Sequence, residues 1–238
     1  MSKPLRFLLT NDDGVDAPGL ASLAAVAREL GEAYIVAPHI ELSGCSHRVT
    51  VDRPLTLQEL DARTFRLDGT PADCVRVALG HMRLEVDYVL SGINPGGNLG
   101  ADVWMSGTVA AVREAALWKV PGIAISQYRR SREPVDWRRA ANWTREVLAE
   151  LFEQMQPREP EQACRSWNVN LPDPPAADVS PTPARECCAI DANRLDVRFE
   201  ASGDQLRYRG RYQDRPRTQG SDVERCFAGA IAVSQLTL

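Results

Sequence analysis

The sequence predicts an α/β protein: a Rossmann-like, mostly parallel sheet with helices on both faces, plus a C-terminal β-hairpin extension. Three observations predict it. Short apolar runs ended by turn residues alternate with stretches whose apolar residues recur at helical spacing. That alternation persists to about Pro172, as the βα units of a parallel sheet require. Beyond it, prolines crowd residues 172 to 183 and later segments alternate apolar and polar residues, the period of hairpin strands.

The first run, residues 5 to 10 (LRFLLT), stops at Asn11-Asp12-Asp13-Gly14 and reads as a strand buried on both faces. A helix follows: Pro18 suits its first turn, Leu20, Leu23, Ala27 and Leu30 recur at helical spacing, and Gly31 supplies the stop. Residues 33 to 37 (AYIVA) form the second strand, ended by Pro38. Thr70-Pro71-Ala72-Asp73 has an N-cap threonine, a proline at the first helical position and an acid at the third, opening a helix to about Leu79. Residues 87 to 91 (DYVLS) are a third buried strand. Thr108 begins an alanine-rich helix, residues 121 to 126 (PGIAIS) are a fourth strand, 137 to 155 a long amphipathic helix, and 167 to 170 a fifth strand. In the extension, residues 195 to 200 and 205 to 212 read as hairpin strands, and 228 to 233 as a strand returning to a sheet. The chain reads as one domain over residues 1 to 238, with a core of about 1 to 172 and an extension of about 173 to 238.

Composition narrows the function classes. Of the 238 residues, 44% are apolar and 25% charged, as in ordinary globular proteins. With 28 basic against 32 acidic side chains the net charge is −4, so no global field favours nucleic acid or a membrane surface. A small anionic substrate then needs a local cation. The N-terminus runs from Met-Ser-Lys-Pro directly into a short apolar strand, without the long apolar stretch of a signal peptide or membrane span, and a cytoplasmic protein is expected. Cysteines at 45, 74, 164, 187, 188 and 226 form no Cys-x-x-Cys pair and read as small hydrophobes of a reducing compartment. His39, His47 and His81 form no zinc-ligand group.

Four segments carry chemistry. Asn11-Asp12-Asp13-Gly14 would be a hairpin turn if a return strand followed, but a helix does. Two adjacent carboxylates at the carboxyl end of a first parallel strand repel unless something positive lies between them, and ligands of open α/β sheets bind at that end. Asp68-Gly69-Thr70 is the contrasting case, a turn and helix cap. The second segment, Ser91-Gly92-Ile93-Asn94-Pro95-Gly96-Gly97-Asn98-Leu99-Gly100, is glycine-rich, and on its own a surface loop or an anion cradle fits it equally; it lacks the Gly-Lys-Ser/Thr of a P-loop. The third, Ser106-Gly107-Thr108, feeds a helix N-terminus, where free N–H groups and the helix dipole favour phosphate, although alone it reads as an ordinary cap. The fourth, Ser43-Gly44-Cys45-Ser46, is a polar turn after the second strand. Each segment follows a buried strand or opens a helix, so all can meet above one edge of the sheet. Two carboxylates, an amide oxygen and a hydroxyl make an all-oxygen shell suited to magnesium or manganese.

With these motifs the chain resembles the SurE family of stationary-phase survival nucleotidases. The matching residues are Thr10 to Gly14 with Ala17-Pro18-Gly19, Ala37-Pro38 with Ser43-Gly44, and Gly69-Thr70-Pro71-Ala72-Asp73-Cys74. Further on come Ser91-Gly92-Ile93-Asn94 with Gly96 and Asn98-Leu99-Gly100, Ser106 to Ala111, and Asn168-Val169-Asn170-Leu171-Pro172. They cover the first half of the chain densely and the rest thinly. The resemblance implies one divalent metal ion (Mg2+ or Mn2+) at Asp12, Asp13, Ser43 and Asn94, and phosphate contacts near Asn98, Ser106, Gly107 and Thr108. It implies hydrolysis of nucleoside 5′-monophosphates, and of 3′-monophosphates or short polyphosphate in some members. Asp12, Asp13 and Asn94 are the residues expected to carry catalysis by metal-activated water, with Asp12 accepting the water proton. A homodimer or higher homo-oligomer is expected. Three departures stand out: His39 replaces a common Asp, Pro95 a small residue beside Asn94, and the chain ends at Leu238 without the helical arm many members exchange.

Other classes fit less well. A haloacid-dehalogenase-type phosphatase needs Asp-x-Asp-Gly-Thr, but Arg66 occupies the nucleophile position before Asp68-Gly69-Thr70. A receiver domain has paired acids after its first strand but lacks the glycine-rich loop and the long C-terminal part. A metal-dependent nucleotide-binding module without turnover is the alternative from a different class.

Overall fold

The computed structural model describes residues 4–131, 133–155, 166–173 and 182–237. Its elements are β1 (Leu5–Thr10), α1 (Pro18–Leu30), β2 (Gly31–Pro38), β3 (Leu57–Asp61), β4 (Thr64–Leu67), α2 (Pro71–Arg76), β5 (Tyr88–Asn94), α3 (Gly107–Leu117), β6 (Gly122–Gln127) and α4 (Trp137–Met155). The chain continues through β7 (Ser166–Leu171), β8 (Arg185–Cys187), β9 (Phe199–Ser202), β10 (Gln205–Tyr208), α5 (Asp222–Phe227) and β11 (Ile231–Leu236). The main sheet has the order β3-β4-β2-β1-β5-β6-β7-β11-β8. Its central run β2-β1-β5-β6-β7, the five strands expected from the apolar runs, is parallel throughout.

Strand alternation divides the core in two. Phe7, Leu9, Leu90, Ile123 and Ile125 face α1 and α4, meeting Leu20, Leu23, Trp143 and Leu148. Leu8, Val36 and Val89 face the other way, onto Cys74, Val75, Ala78, Ala111 and Ala115 of α2, α3 and the turn between α2 and β5. Both faces are thus covered, which is why these strands read as continuous apolar runs. Among the described residues no helix is long and apolar enough to cross a membrane.

Several boundaries differ from the sequence reading. β5 runs on to Asn94 because Gly92 adopts φ +128° where a side chain would meet the Ile125 carbonyl, so strand pairing to β6 survives as far as Asn94 with Ser126. α2 closes its predicted capping box, Thr70 accepting from the Asp73 N–H while the Asp73 carboxylate accepts from the Thr70 N–H. After Arg76 the helical run widens into a π turn, Val77–His81. The expected hairpin is present as the separate two-stranded sheet β9-β10, narrower than its alternating sequence. β11 begins at Ile231 because the residues before it close α5 and turn through Gly229 at φ +103°. β3, β4 and α5 were not read from the sequence: β3 is almost wholly exposed and so has no apolar run, and α5 is too short for a helical period to register. The prolines between 174 and 181 lie outside the described residues.

The C-terminal part is fastened to the glycine-rich loop. Leu99, Tyr128, Val223, Cys226 and Ala232 form a small third core with Tyr212 and Phe227 against it. Arg215 donates to the Leu99 carbonyl (3.0 Å) and grips Asp102 with both terminal nitrogens (2.7 and 3.1 Å). Buried Asp222 accepts the Gly100 N–H at 2.8 Å.

Candidate active site

The cleft of interest opens above the carboxyl ends of β1, β2, β5 and β6, where a doubly wound sheet takes its ligands. It encloses about 550 Å³ and is lined by Asp12, Asp13, Glu41, Ser43, Asn94 and Asn98, with residues 95 to 97, Asp102, Met105, Ser106, Arg129 and Tyr212 completing the wall. Four segments far apart in the chain therefore converge, as their shared position at strand ends implied.

Local hydrogen bonds hold the acid pair. Asn11 donates its side-chain amide to the Gly14 carbonyl (2.9 Å) and accepts the Gly14 N–H (3.2 Å), tightening the turn that carries Asp12 and Asp13. The Asp12 carbonyl accepts the Leu42 N–H at 2.7 Å, which draws the Ser43 turn alongside β1. Asp12 is 4% exposed, and its Oδ1 accepts the Thr108 hydroxyl at 2.5 Å. Burial raises its pKa above the usual carboxylate value, and the Thr108 hydrogen bond partly offsets this. Asp13 is pushed up to about 7, first by burial and then by the charges of Asp12 and Glu41. Its Oδ2 is buried without a hydrogen-bond partner.

The remaining expected residues divide into those that face the cleft and those behind it. Asn94 donates its amide to the Gly96 carbonyl (2.7 Å), which leaves its Oδ1 as a free acceptor. Ser43 is exposed and donates to Glu41 Oε1 at 2.8 Å, so its oxygen retains lone pairs. Ser106 caps α3 by accepting the Val109 N–H (3.0 Å), and its own proton is free to donate. Gly107 and Thr108 sit behind Asp12 and do not line the cleft. A side chain at Gly107 would have its Cβ 2.8 Å from both Asp12 Cβ and Cys45 Sγ, so only glycine permits this approach. Asn98 is 8% exposed and gives its amide to Ser126 Oγ (2.8 Å) and Thr108 Oγ1 (3.5 Å). His39 is exposed and lies outside the lining, whereas Pro95 is part of it.

Glu41, Asp102 and Arg129 join the cleft without having been singled out in the sequence, and so does Tyr212, which the sequence reading had put at the end of a hairpin strand but which packs against the third core instead. Arg129 follows the carboxyl end of β6, a position that a parallel sheet should have drawn attention to. It is the one cation among the described lining residues, with Nη2 donating to the Glu133 carbonyl (2.9 Å) and Nε buried without a partner. Tyr212 arrives from the extension and donates to the Gly97 carbonyl at 3.0 Å, for which the sequence carries no local signal.

The donor set fits a hard divalent cation. Asp12, the unpartnered Asp13 Oδ2, Asn94 Oδ1 and Ser43 Oγ are all oxygens. Among the described residues no group of three or more His, Cys, Asp or Glu side chains is arranged to hold a metal, so such a cation would depend on these neutral oxygens as well as the acid pair.

Comparison with known proteins places the chain in a family. The family model described as "Survival protein SurE" matches residues 7–193. A Nostoc sp. protein is 46% identical over 98% of this chain and 99% of its own length. The 5′-nucleotidase SurE of Paramagnetospirillum magneticum is 37% identical over 98% of this chain and 89% of its own. The crystal structure of the SurE protein from Aquifex aeolicus superposes with a TM-score of 0.82 at 28% identity, covering 97% of this chain and 92% of that one. A sheet of this order, an acid pair after its first strand and a match spanning most of the chain lead to one conclusion: the chain belongs to the SurE family of survival proteins.

Proposed function

We propose that the protein is a divalent-metal-dependent 5′-nucleotidase that releases phosphate from nucleoside monophosphates. The carrying observation is the cleft itself, whose wall brings Asp13, with a buried carboxylate oxygen that has no partner, together with Asp12, Ser43, Asn94 and the donors of Ser106 and Arg129. The names of relatives such as that of Paramagnetospirillum magneticum support the substrate class.

Asp12, Asp13, Ser43 and Asn94 would hold the ion. When bound, a magnesium or manganese ion lowers the pKa of water and draws charge from phosphoryl oxygens. The chain's own groups do the rest. The Ser106 hydroxyl, the Gly97 N–H and the Arg129 guanidinium are donors for the phosphoryl oxygens, preorganised so that charge developing in the transition state meets fixed dipoles. Asp12 takes the proton of the attacking water, and Thr108 holds the carboxylate for that role by donating to Oδ1.

Direct attack by water is favoured over a phosphoenzyme. Burial pushes the Cys45 thiol up to about 11, which keeps it protonated and a poor nucleophile. His47 is hydrogen-bonded to the buried Glu114 carboxylate (3.0 Å) and does not line the cleft. The test is phosphate release from nucleoside 5′- and 3′-monophosphates, sugar phosphates and short polyphosphate, with magnesium, manganese and chelator. Metal-dependent release that prefers 5′-monophosphates is expected; tight nucleotide binding without release would replace the reading with that of a binding module.

A homodimer accompanies this reading. Phe199 pairs with Tyr208 and Ala201 with Leu206 across the hairpin, which puts all four on one face of a two-stranded ribbon. Phe199, Leu206 and Tyr208 are 58%, 67% and 51% exposed. Isolated hairpins are marginal in water, and a twofold partner covers the face with an identical one. Light scattering should then return about twice the 26.3 kDa chain mass, and a monomer would remove the dimer.

A further inference from the structure

β7 carries two polar side chains on a face of a buried strand that would ordinarily be apolar. Asn168 and Asn170 are both 0% exposed, two residues apart, and contribute nothing to the cleft wall. Buried amides are costly unless hydrogen-bonded, so their partners say what they are for. Asn170 Oδ1 accepts the Asn98 N–H at 2.8 Å. The Asn98 carbonyl accepts from Asn168 Nδ2 at 2.8 Å and from Asn170 Nδ2 at 3.1 Å. Both polar atoms of the Asn98 main chain are therefore held by side chains lying two strands away in the order β5-β6-β7.

The held residue is a junction. Asn98 lies between Gly96-Gly97 and Gly100, in a loop with little stiffness of its own, and no main-chain partner serves its N–H or carbonyl. Its side-chain amide donates to Ser126 Oγ of the intervening strand (2.8 Å) and reaches Thr108 Oγ1 (3.5 Å), whose hydroxyl in turn donates to Asp12 Oδ1 (2.5 Å). A continuous polar path thus runs from β7 through Asn98 and Thr108 to the acid pair. Had β7 only a packing role, apolar side chains would serve it better, since Asn168 Oδ1 is left buried without a partner.

We propose that Asn168 and Asn170 are positioning residues: they clamp the Asn98 peptide and so hold the glycine-rich wall of the cleft, and through Thr108 the Asp12 carboxylate, in place for phosphate. This rests on the phosphohydrolase reading of the cleft. Asn170 meets both the N–H and the carbonyl of Asn98, while Asn168 supplies one of two donors to the carbonyl, so the two should differ in weight.

The experiment compares the full chain with N170A and N168A by amide hydrogen exchange, steady-state kinetics, inorganic phosphate inhibition and thermal melting. In N170A, exchange at Asn98 should speed up roughly 100-fold while β5 and β6 stay protected. Its kcat should fall roughly 10- to 100-fold, with KM and the phosphate inhibition constant rising together, as expected when reacting groups are displaced by a fraction of an ångström. N168A should move kcat, KM and the phosphate inhibition constant in the same directions by roughly 2- to 10-fold, while exchange at the Asn98 N–H, still held by Asn170, stays slow. Should N170A fail to fold, N168A carries the kinetic and phosphate readouts with the larger clamp intact. Unchanged exchange at Asn98 in N170A, or a lowered melting temperature in either variant with kcat, KM and phosphate inhibition like those of the parent, would overturn the proposal and leave the asparagines as structural. A parent chain that hydrolyses no nucleotide would sink the phosphohydrolase reading instead, and exchange at Asn98 with phosphate binding by titration would still decide the clamp.

Discussion

The Thr108 hydroxyl donates to Asp12 Oδ1 across 2.5 Å, joining the first turn of α3 to the acid at the end of β1. The bond spends the threonine on Asp12 Oδ1, while Oδ2 lies against Gly107. Replacing Thr108 by Val keeps the volume and removes the donor. Phosphate release should drop roughly 10- to 100-fold, the range for a misplaced catalytic group. Thr108→Ser should restore most of it. Steady-state rates of the two variants check this, and a fully active T108V would show that the bond does not orient Asp12.

Asp13→Asn should abolish turnover while stabilising the metal-free chain. Burial and the neighbouring acids raise the Asp13 carboxyl from its ordinary 3.8 to about 7 in the folded chain. An acid whose folded pKa is raised costs nothing below the unfolded value, and its penalty grows as pH climbs through the window between the two. The unmodified metal-free chain should therefore lose stability between about pH 4 and 7, and the variant should lose less, by on the order of 1–3 kcal/mol. Melting curves over that range with chelator present measure the difference. A variant that melts lower than its parent at pH 7 would contradict it.

Gly107→Ala places a methyl within 2.8 Å of both Asp12 Cβ and Cys45 Sγ. Overpacking at a buried contact costs about 1–3 kcal/mol. Activity should fall more steeply than stability, because one of the two atoms pushed belongs to the acid pair. Removing the sulfur in the double variant G107A/C45A should recover part of both losses. A double-mutant cycle on melting temperature and kcat reads the coupling, and strict additivity would place the strain elsewhere.

Arg129 is the one cation on the described cleft wall, while the substrate brings a dianion. Arg129→Ala should raise KM for nucleoside monophosphates roughly 10-fold or more, the cost of about 1.5–3 kcal/mol for a lost hydrogen bond to a charged group. Arg129→Lys should recover only part, since a guanidinium fork matches phosphate better than an ammonium. Michaelis curves for the three proteins check this; an unchanged KM in R129A would remove Arg129 from the phosphate contact.

What was legible in the sequence was local. β1 announces itself because six consecutive residues are buried or half-buried, and Asp12-Asp13 follow with no return strand to excuse them as a turn. Asn94 was legible as part of the glycine-rich stretch after the third strand, although that strand was read as ending at Ser91 and runs on to Asn94. Glu41 and Arg129 were less visible, although each lies just past a strand end on the same edge. Tyr212 and Asp102 were not legible at all. Their places depend on Arg215 gripping Asp102 from 113 residues away and on Tyr212 bonding to Gly97 from 115 residues away, which no window of sequence contains. Asn168 and Asn170 illustrate the middle case: the motif was visible, but its target, the Asn98 peptide, appears only when β7 lies beside β6. β3 escaped for the opposite reason, since an exposed edge strand needs no apolar pattern.

The central claim is that one divalent ion at Asp12, Asp13, Ser43 and Asn94 is needed for phosphate release. Manganese titration of the metal-free chain, followed in parallel by electron paramagnetic resonance and by phosphate release from a nucleoside 5′-monophosphate, tests it most directly. Activity should rise in step with occupancy and saturate at one ion per chain, and Asp13→Asn should show neither the binding nor the rise. Full release in excess chelator, or saturation of activity with Asp13→Asn behaving as the parent, would contradict the account.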